Sequence, residues 1–181
     1  MSVEFEHYGK IPRLRNLLCT ITEKIDGTNA QILVPDDPAE PVLAGSRNRW
    51  ITPESDNHGF ARFVAENAET LRRLGPGRHY GEWWGSGIQR RYGLMDKRLS
   101  LFNTYKWREG LPEGLPPCVA VVPVLYQGPW EDGLVESVMM SLYKRSVAAP
   151  GWAQPEGVVV SLGNLRWKMT FDGDGHKGEP E

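Results

Sequence analysis

At 181 residues the chain is long enough for one domain with a proper core, and 40% hydrophobic with 24% charged residues is an ordinary globular composition. A net charge of -2 argues against a bulk electrostatic grip on nucleic acid but leaves room for a local basic face. No apolar run approaches membrane-spanning length and the N-terminus lacks a basic-then-apolar leader, so no membrane role is expected.

The first dozen residues, through Ile11-Pro12-Arg13-Leu14, read as an irregular lead-in. Leu17 to Ile21 and Ala30 to Val34 read as strands, and Asp26-Gly27 between them is a strong hairpin signal. A turn rich in Pro and Asp follows, and then a third strand from Pro41 to Arg47. Asn57 to Leu74 reads as a helix, with Phe60, Phe63, Val64, Leu71 and Leu74 on one face and Gly75-Pro76-Gly77 as its stop. Strand signals resume at Arg78 to Trp84 and Leu99 to Tyr105, separated by a Gly- and Arg-rich loop. The most apolar strand is Cys118 to Tyr126, and Glu131 to Arg145 reads as a second helix. Val158 to Leu162 and Leu165 to Phe171 form a strand pair turned by Gly163-Asn164. The expected architecture is one α+β domain over residues 1–171, with antiparallel sheets and flanking helices. Residues 172–181 are expected to be a disordered tail.

Several chemistries are excluded by their missing motifs. The chain has no GxxxxGK[ST], and Gly85-Ser86-Gly87 fails the dinucleotide-binding spacing and is no nucleophile elbow. None of the four histidines stands at zinc-ligand spacing. Cys19 and Cys118 lie in apolar runs without CxxC spacing and read as buried free thiols, which suits a cytoplasmic protein.

What remains is the stretch Thr22-Glu23-Lys24-Ile25-Asp26-Gly27-Thr28-Asn29, a lysine between two carboxylates followed by a glycine, a hydroxyl and an amide. Taken alone it reads equally well as an ordinary turn with an exposed Lys24. Further patches follow in order: Gly45-Ser46-Arg47, then Gly81-Glu82-Trp83-Trp84-Gly85, then Leu101-Phe102-Asn103. The last two are Glu156-Gly157-Val158-Val159 and Arg166-Trp167-Lys168. Strand alternation puts Arg166 and Lys168 on one face.

That order resembles the covalent nucleotidyltransferase superfamily, and within it the ATP-dependent RNA ligases. Lys24-Ile25-Asp26-Gly27 is similar to motif I and the later patches to motifs Ia, III, IIIa, IV and V, from roughly Tyr8 to Thr170. The resemblance implies the nucleotidyltransferase fold of a ligase adenylation domain. It also implies a reaction in three steps: lysyl-AMP, then AMP on an RNA 5′-phosphate, then attack by a 3′-hydroxyl. Lys24 would be the nucleophile, with Lys168 holding the α-phosphate and Arg166 assisting. Glu82 would meet the ribose, Phe102 would stack on adenine, and Arg47 would contact the ribose or the RNA end. Asn29 would bond phosphates or the incoming 5′ end, and Glu23 would orient the base or the lysine loop. Glu156 would sit at Mg²⁺ or Mn²⁺. Attack needs a neutral amine, whereas a free lysine titrates near about 10.4; positive groups crowding round Lys24 are expected to supply the difference.

Two departures stand out. Arg166 replaces the first of the two lysines usual in motif V, and the sequence runs only about ten residues beyond it. Autonomous joining of RNA ends or nicks is therefore expected to be weak, or to need a partner protein supplying the function of the domain that relatives append. Three other readings stay open: a nucleotidyltransferase with another donor or acceptor, such as a DNA ligase or a GTP-using capping-type enzyme; a nucleotide- or RNA-end-binding protein; and a strand-rich scaffold.

Overall fold

The structure, a computed structural model, describes residues 3–11 and 13–172. Its strands are β1 (Leu18–Lys24), β2 (Thr28–Val34), β3 (Leu43–Gly45), β4 (Trp50–Ile51), β5 (Gly77–Gly85), β6 (Lys97–Leu101), β7 (Val119–Val121), β8 (Val124–Pro129), β9 (Gly157–Leu162) and β10 (Leu165–Thr170). Three α-helices, α1 (Phe60–Glu66), α2 (Ala68–Leu71) and α3 (Leu134–Leu142), flank them. The strands form a four-stranded sheet, β10-β9-β1-β8, and a six-stranded sheet, β4-β3-β2-β5-β6-β7. The α+β expectation holds. Pairing is antiparallel except between β6 and β7, which run parallel.

Asp26-Gly27 does not close a hairpin. β1 pairs with β8 and β9, whereas β2 pairs with β3 and β5, so the chain changes sheets between Lys24 and Thr28. The backbone donors of this crossing go to side chains: the Asp26 N–H to the Tyr92 hydroxyl at 2.7 Å, and the Gly27 N–H to Glu82 Oε1 at 3.0 Å. A Cβ on Gly27 would lie 2.7 Å from Trp84 Cβ and 3.0 Å from Glu82 Cγ, so only glycine lets the crossing press against β5.

A second crossing splits the expected strand from Cys118 to Tyr126. Pro123 lacks the N–H that a continuous ladder needs. Val122 donates to the Leu101 carbonyl at 3.0 Å in one sheet, and the Pro123 carbonyl accepts from Glu23 N–H at 3.0 Å in the other. Ile25 and Val122, one from each crossing, are buried together with Trp84, Tyr92 and Ala149 in a small core at the junction.

The expected helix from Asn57 to Leu74 is broken into α1, α2 and a 3₁₀ turn over Arg72–Leu74. Asn67 makes the break: its side-chain amide donates to the Phe63 carbonyl at 2.8 Å, competing with the helical ladder. The apolar face nevertheless packs as read. Phe60, Val64, Leu71 and Leu74 join Ile32, Ala44, Ile51 and Leu99 in a core behind the six-stranded sheet. The second helix is shorter than expected, beginning after Gly133, and lays Leu134, Val135, Met139 and Leu142 on Cys19, Ile21, Val158 and Val160 of the other sheet. Both cysteines are free; Cys19 is buried and Cys118 half-buried. No helix among the described residues is long and apolar enough to cross a membrane. Of the expected tail only Asp172 is described, ion-paired with Arg90; residues 173–181 lie outside the described residues.

Candidate nucleotide site

Alternation along β1 divides its side chains. Cys19, Ile21 and Glu23 are buried on one face, while Thr20, Thr22 and Lys24 alternate with them and line a cleft between the two sheets. Lys24 is the last residue of β1, where its register partner is Gly157 at the start of β9. That pairing brings the Glu156 carboxylate to Lys24, with Nζ 2.7 Å from Oε2. A Cβ on Gly157 would lie 2.7 Å from Thr170 Cα, so the glycine lets β10 run close beside the acid. The nearest charged partner of the lysine is thus a carboxylate and not the expected crowd of cations.

The facing wall comes from the six-stranded sheet. Asn29 and Glu82 are register partners on β2 and β5, and Glu82 Oε2 accepts from the Asn29 amide at 3.3 Å. Glu82 is only 9% exposed. Burial pushes its carboxyl up to about 7, against the pull of the Lys24 charge and of the bonds from Gly27 and Asn29. Phe102 stands past the end of β6 rather than in mid-strand, and its N–H still bonds the Tyr80 carbonyl at 2.9 Å. The cleft is about 640 Å³, lined by Lys24, Asn29, Glu82, Phe102, Val122 and Arg166 among others. That volume suits a nucleotide-sized ligand.

Arg166 and Lys168 do share a face: they pair with Ser161 and Val159 of β9, both of which line the cleft. Both are exposed; Arg166 reaches the cleft wall, whereas Lys168 stands one pleat repeat from the Lys24 row. No carboxylate among the described residues forms an ion pair with either cation. Arg47 lies in the exposed turn between β3 and β4, outside the cleft lining.

Glu23 departs most from expectation. Its carboxylate is 1% exposed and points away from the cleft wall that Lys24 forms. It accepts from the Ser146 hydroxyl at 2.6 Å and from the Val147 and Ala148 N–H groups at 2.8 Å each. It therefore ties the turn after α3 to β1, its hydrogen bonds running to that turn and not to Lys24.

Sequence reasoning missed Asp26, Arg90 and Tyr92. Arg90 bridges Asp26 at 3.1 Å and Asp172, while the Tyr92 hydroxyl receives the Asp26 N–H. The loop between β5 and β6 is thereby fastened to the crossing beside Lys24. Asp26 stood inside the lysine motif as a signal; Tyr92 carried none, since its loop has no periodicity.

A family model described as RNA ligase matches residues 18–168. No curated protein matches by sequence. Among solved structures, an arginine variant of Naegleria gruberi RNA ligase with ATP and Mn superposes with a TM-score of 0.62 at 20% identity, covering 86% of this chain and 50% of that one. A lysine variant with ATP and Mn gives 0.60 at 18% identity, over 87% and 50%. The enzyme with PPi gives 0.59 at 17%, over 86% and 50%. These likenesses show the adenylation-domain fold, and the chain spans about half the length of the structures it matches. They give no support to the expected partner protein. The family match takes in every element from β1 to Lys168 that builds the cleft, and the chain belongs to the RNA ligase family.

Proposed function

We propose that the chain is the adenylylating unit of an ATP-dependent RNA ligase, with Lys24 as nucleophile. The observation that carries this reading is the meeting of Lys24, Glu82 and Asn29 in one cleft between the two sheets, with Glu156 bonded to the lysine. In the first step the Lys24 ammonium gives up a proton, and Glu156 at 2.7 Å is its nearest acceptor. The amine then attacks the α-phosphorus of ATP: a nitrogen–phosphorus bond forms, the bond to the bridging oxygen breaks, and pyrophosphate leaves. An RNA 5′-phosphate oxygen next attacks the same phosphorus and frees Lys24. A 3′-hydroxyl finally attacks the activated 5′-phosphate and releases AMP.

Such transfers depend mainly on positioning and on neutralising phosphate charge. Glu82 and Asn29 face the nucleotide sugar, Phe102 offers a ring to the base, and Arg166 with Lys168 supplies positive charge to the phosphates. Arg47, outside the cleft, is left to meet the RNA end. Among the described residues no three metal-binding side chains cluster. Glu156 with phosphates and waters suits Mg²⁺ or Mn²⁺, which takes oxygen ligands and few protein carboxylates. Bound there, the cation would neutralise the triphosphate. A cytoplasmic location is part of the proposal, and two free cysteines suit a reducing compartment.

Incubation with ATP labelled on the α-phosphate, Mg²⁺ or Mn²⁺, and denaturing electrophoresis tests it. Label that survives denaturation, is lost in acid and resists alkali supports the reading. Absence of label, or label from GTP in preference to ATP, contradicts it.

A further inference from the structure

The cleft-facing side of the six-stranded sheet continues beyond the nucleotide cleft, and its register aligns a row of side chains that runs from Phe102, at the base, out to residues the adenylylation chemistry does not use. Trp50 pairs with Gly45, Gly45 with Gln31, and Gln31 with Tyr80. The Phe102 N–H bonds the Tyr80 carbonyl, which extends the row to a fifth strand position. Cross-strand partners share a face, so Trp50, Gln31, Tyr80 and Phe102 stand on one side. Ile51, Ala44 and Ile32 face the core on the other.

Trp50, Tyr80 and Phe102 are 44%, 52% and 38% exposed. Three aromatic rings left open in one row are a costly surface unless something covers them. Trp50 is held in place and not merely left over. Its ring lies against Gly45, 3.2 Å from where a Cβ would stand, and the Arg78 guanidinium caps it at 5.3 Å from the ring centroid. Arg78 and Tyr80 also line the nucleotide cleft, so the row and the cleft are one continuous surface. Along the strands the neighbouring row is Asn29 and Glu82, roughly 7 Å away.

Two guanidinium groups stand at the far end of the row. Arg47 and Arg49 lie in the exposed turn that leads into Trp50, and the Arg49 guanidinium donates to the Ser55 hydroxyl. Of the two acids in the segment after β4, Asp56 is taken up by the N–H groups of Ala61 and Arg62, and Glu54 is bonded to Thr52. Exposed aromatic rings among guanidinium groups, continuous with a nucleotide cleft, are the features that hold single-stranded nucleic acid by stacking and phosphate contact. A duplex hides its base faces and has nothing to offer these rings.

We infer that this face is a stacking platform for an unpaired RNA strand, with Tyr80 and, once the Arg78 guanidinium leaves its ring for a phosphate, Trp50 receiving separate bases of the strand, and Arg78, Arg47 and Arg49 meeting its phosphates. The inference rests on the ligase reading above and adds the form of RNA that the site takes.

The test is fluorescence anisotropy with a labelled single-stranded RNA of about 12 nucleotides and a blunt duplex of the same sequence. The single strand is expected to bind at least about tenfold more tightly than the duplex. Trp50→Ala should weaken single-strand binding roughly 5- to 100-fold, and Trp50→Phe, which keeps a ring, should recover most of it. Arg78→Ala should lower the slope of log affinity against log salt by about 0.7. Circular dichroism melts show whether each variant is folded, and Tyr80→Ala, expected to lose a similar factor, carries the test if Trp50→Ala is not. Equal affinity for duplex and single strand, or unchanged binding by a folded Trp50→Ala, overturns the platform. Labelling of the unaltered chain with ATP is measured in parallel. Labelling without single-strand preference removes the platform alone, whereas absence of labelling removes the ligase reading beneath it.

Discussion

Lys24 Nζ lies 2.7 Å from Glu156 Oε2, held there by the pairing of Lys24 with Gly157 across β1 and β9. Two residues 132 positions apart in sequence are thus brought together by backbone register, before any ligand is present. Glu156 can serve both as the lysine's proton acceptor and as an oxygen ligand for a cation. Glu156→Gln keeps the shape and removes the charge. Covalent labelling by ATP is expected to fall by roughly 10²-fold, on the scale of losing one positioned electrostatic group. The melting temperature should move little. Full labelling by this variant would exclude Glu156 from the chemistry.

Glu82 supplies a pH dependence whose sign follows from its burial. Its folded carboxyl titrates at about 7, above the unfolded value of about 4.3. Folding therefore retains a proton between those values. The stability this gives is full below about pH 4 and is lost as the pH rises through about 7. Glu82→Gln removes the dependence. Thermal melts should show the variant gaining on the native chain from acid to pH 8, by on the order of 3–4 kcal/mol at most. Parallel curves across that range would contradict the assignment.

Glu23 tests the division of β1 into two faces. Glu23→Gln removes the charge from three hydrogen bonds at a buried position and is expected to cost roughly 1–3 kcal/mol. Affinity for ATP, measured by calorimetry below the melting range, should stay within about twofold. A fall in affinity with an unchanged melt would mean that the carboxylate acts on the nucleotide after all.

Gly27→Ala probes the crossing between the sheets. In an ordinary hairpin turn the change would cost about 1 kcal/mol. Here the methyl meets Trp84 Cβ and the backbone of β5, and overpacking of this kind costs about 1–3 kcal/mol or more. Urea titration should show that loss together with reduced labelling, because Lys24 and Glu82 are both tied to the same turn. A melt and labelling rate like the native chain's would mean that the crossing is loose.

The chemistry of the cleft was more legible in the sequence than its architecture. Arg166 and Lys168 share a face because alternation is a local rule, and it held. The same rule, applied to Glu23 beside Lys24, places the two on opposite faces; that signal was present and the motif's crowding obscured it. Asp26-Gly27 is a hairpin signal judged by neighbours alone. Which strand β1 pairs with is decided by residues more than 100 positions away, on β8 and β9. Pro123 marked the second crossing in plain sight, inside a run apolar enough to read as one strand. Tyr92 was not legible: it sits at φ 51 in a loop, and its value lies in a hydroxyl aimed at a backbone N–H across the fold.

The central claim, that the Lys24 side chain carries the nucleotide, is tested most directly by digesting ATP-treated protein at alkaline pH and locating the added AMP by peptide mass spectrometry. The account predicts one adduct, on the peptide containing Lys24, and none after Lys24→Ala. An adduct on another residue, or one that persists in the Lys24→Ala chain, would contradict it.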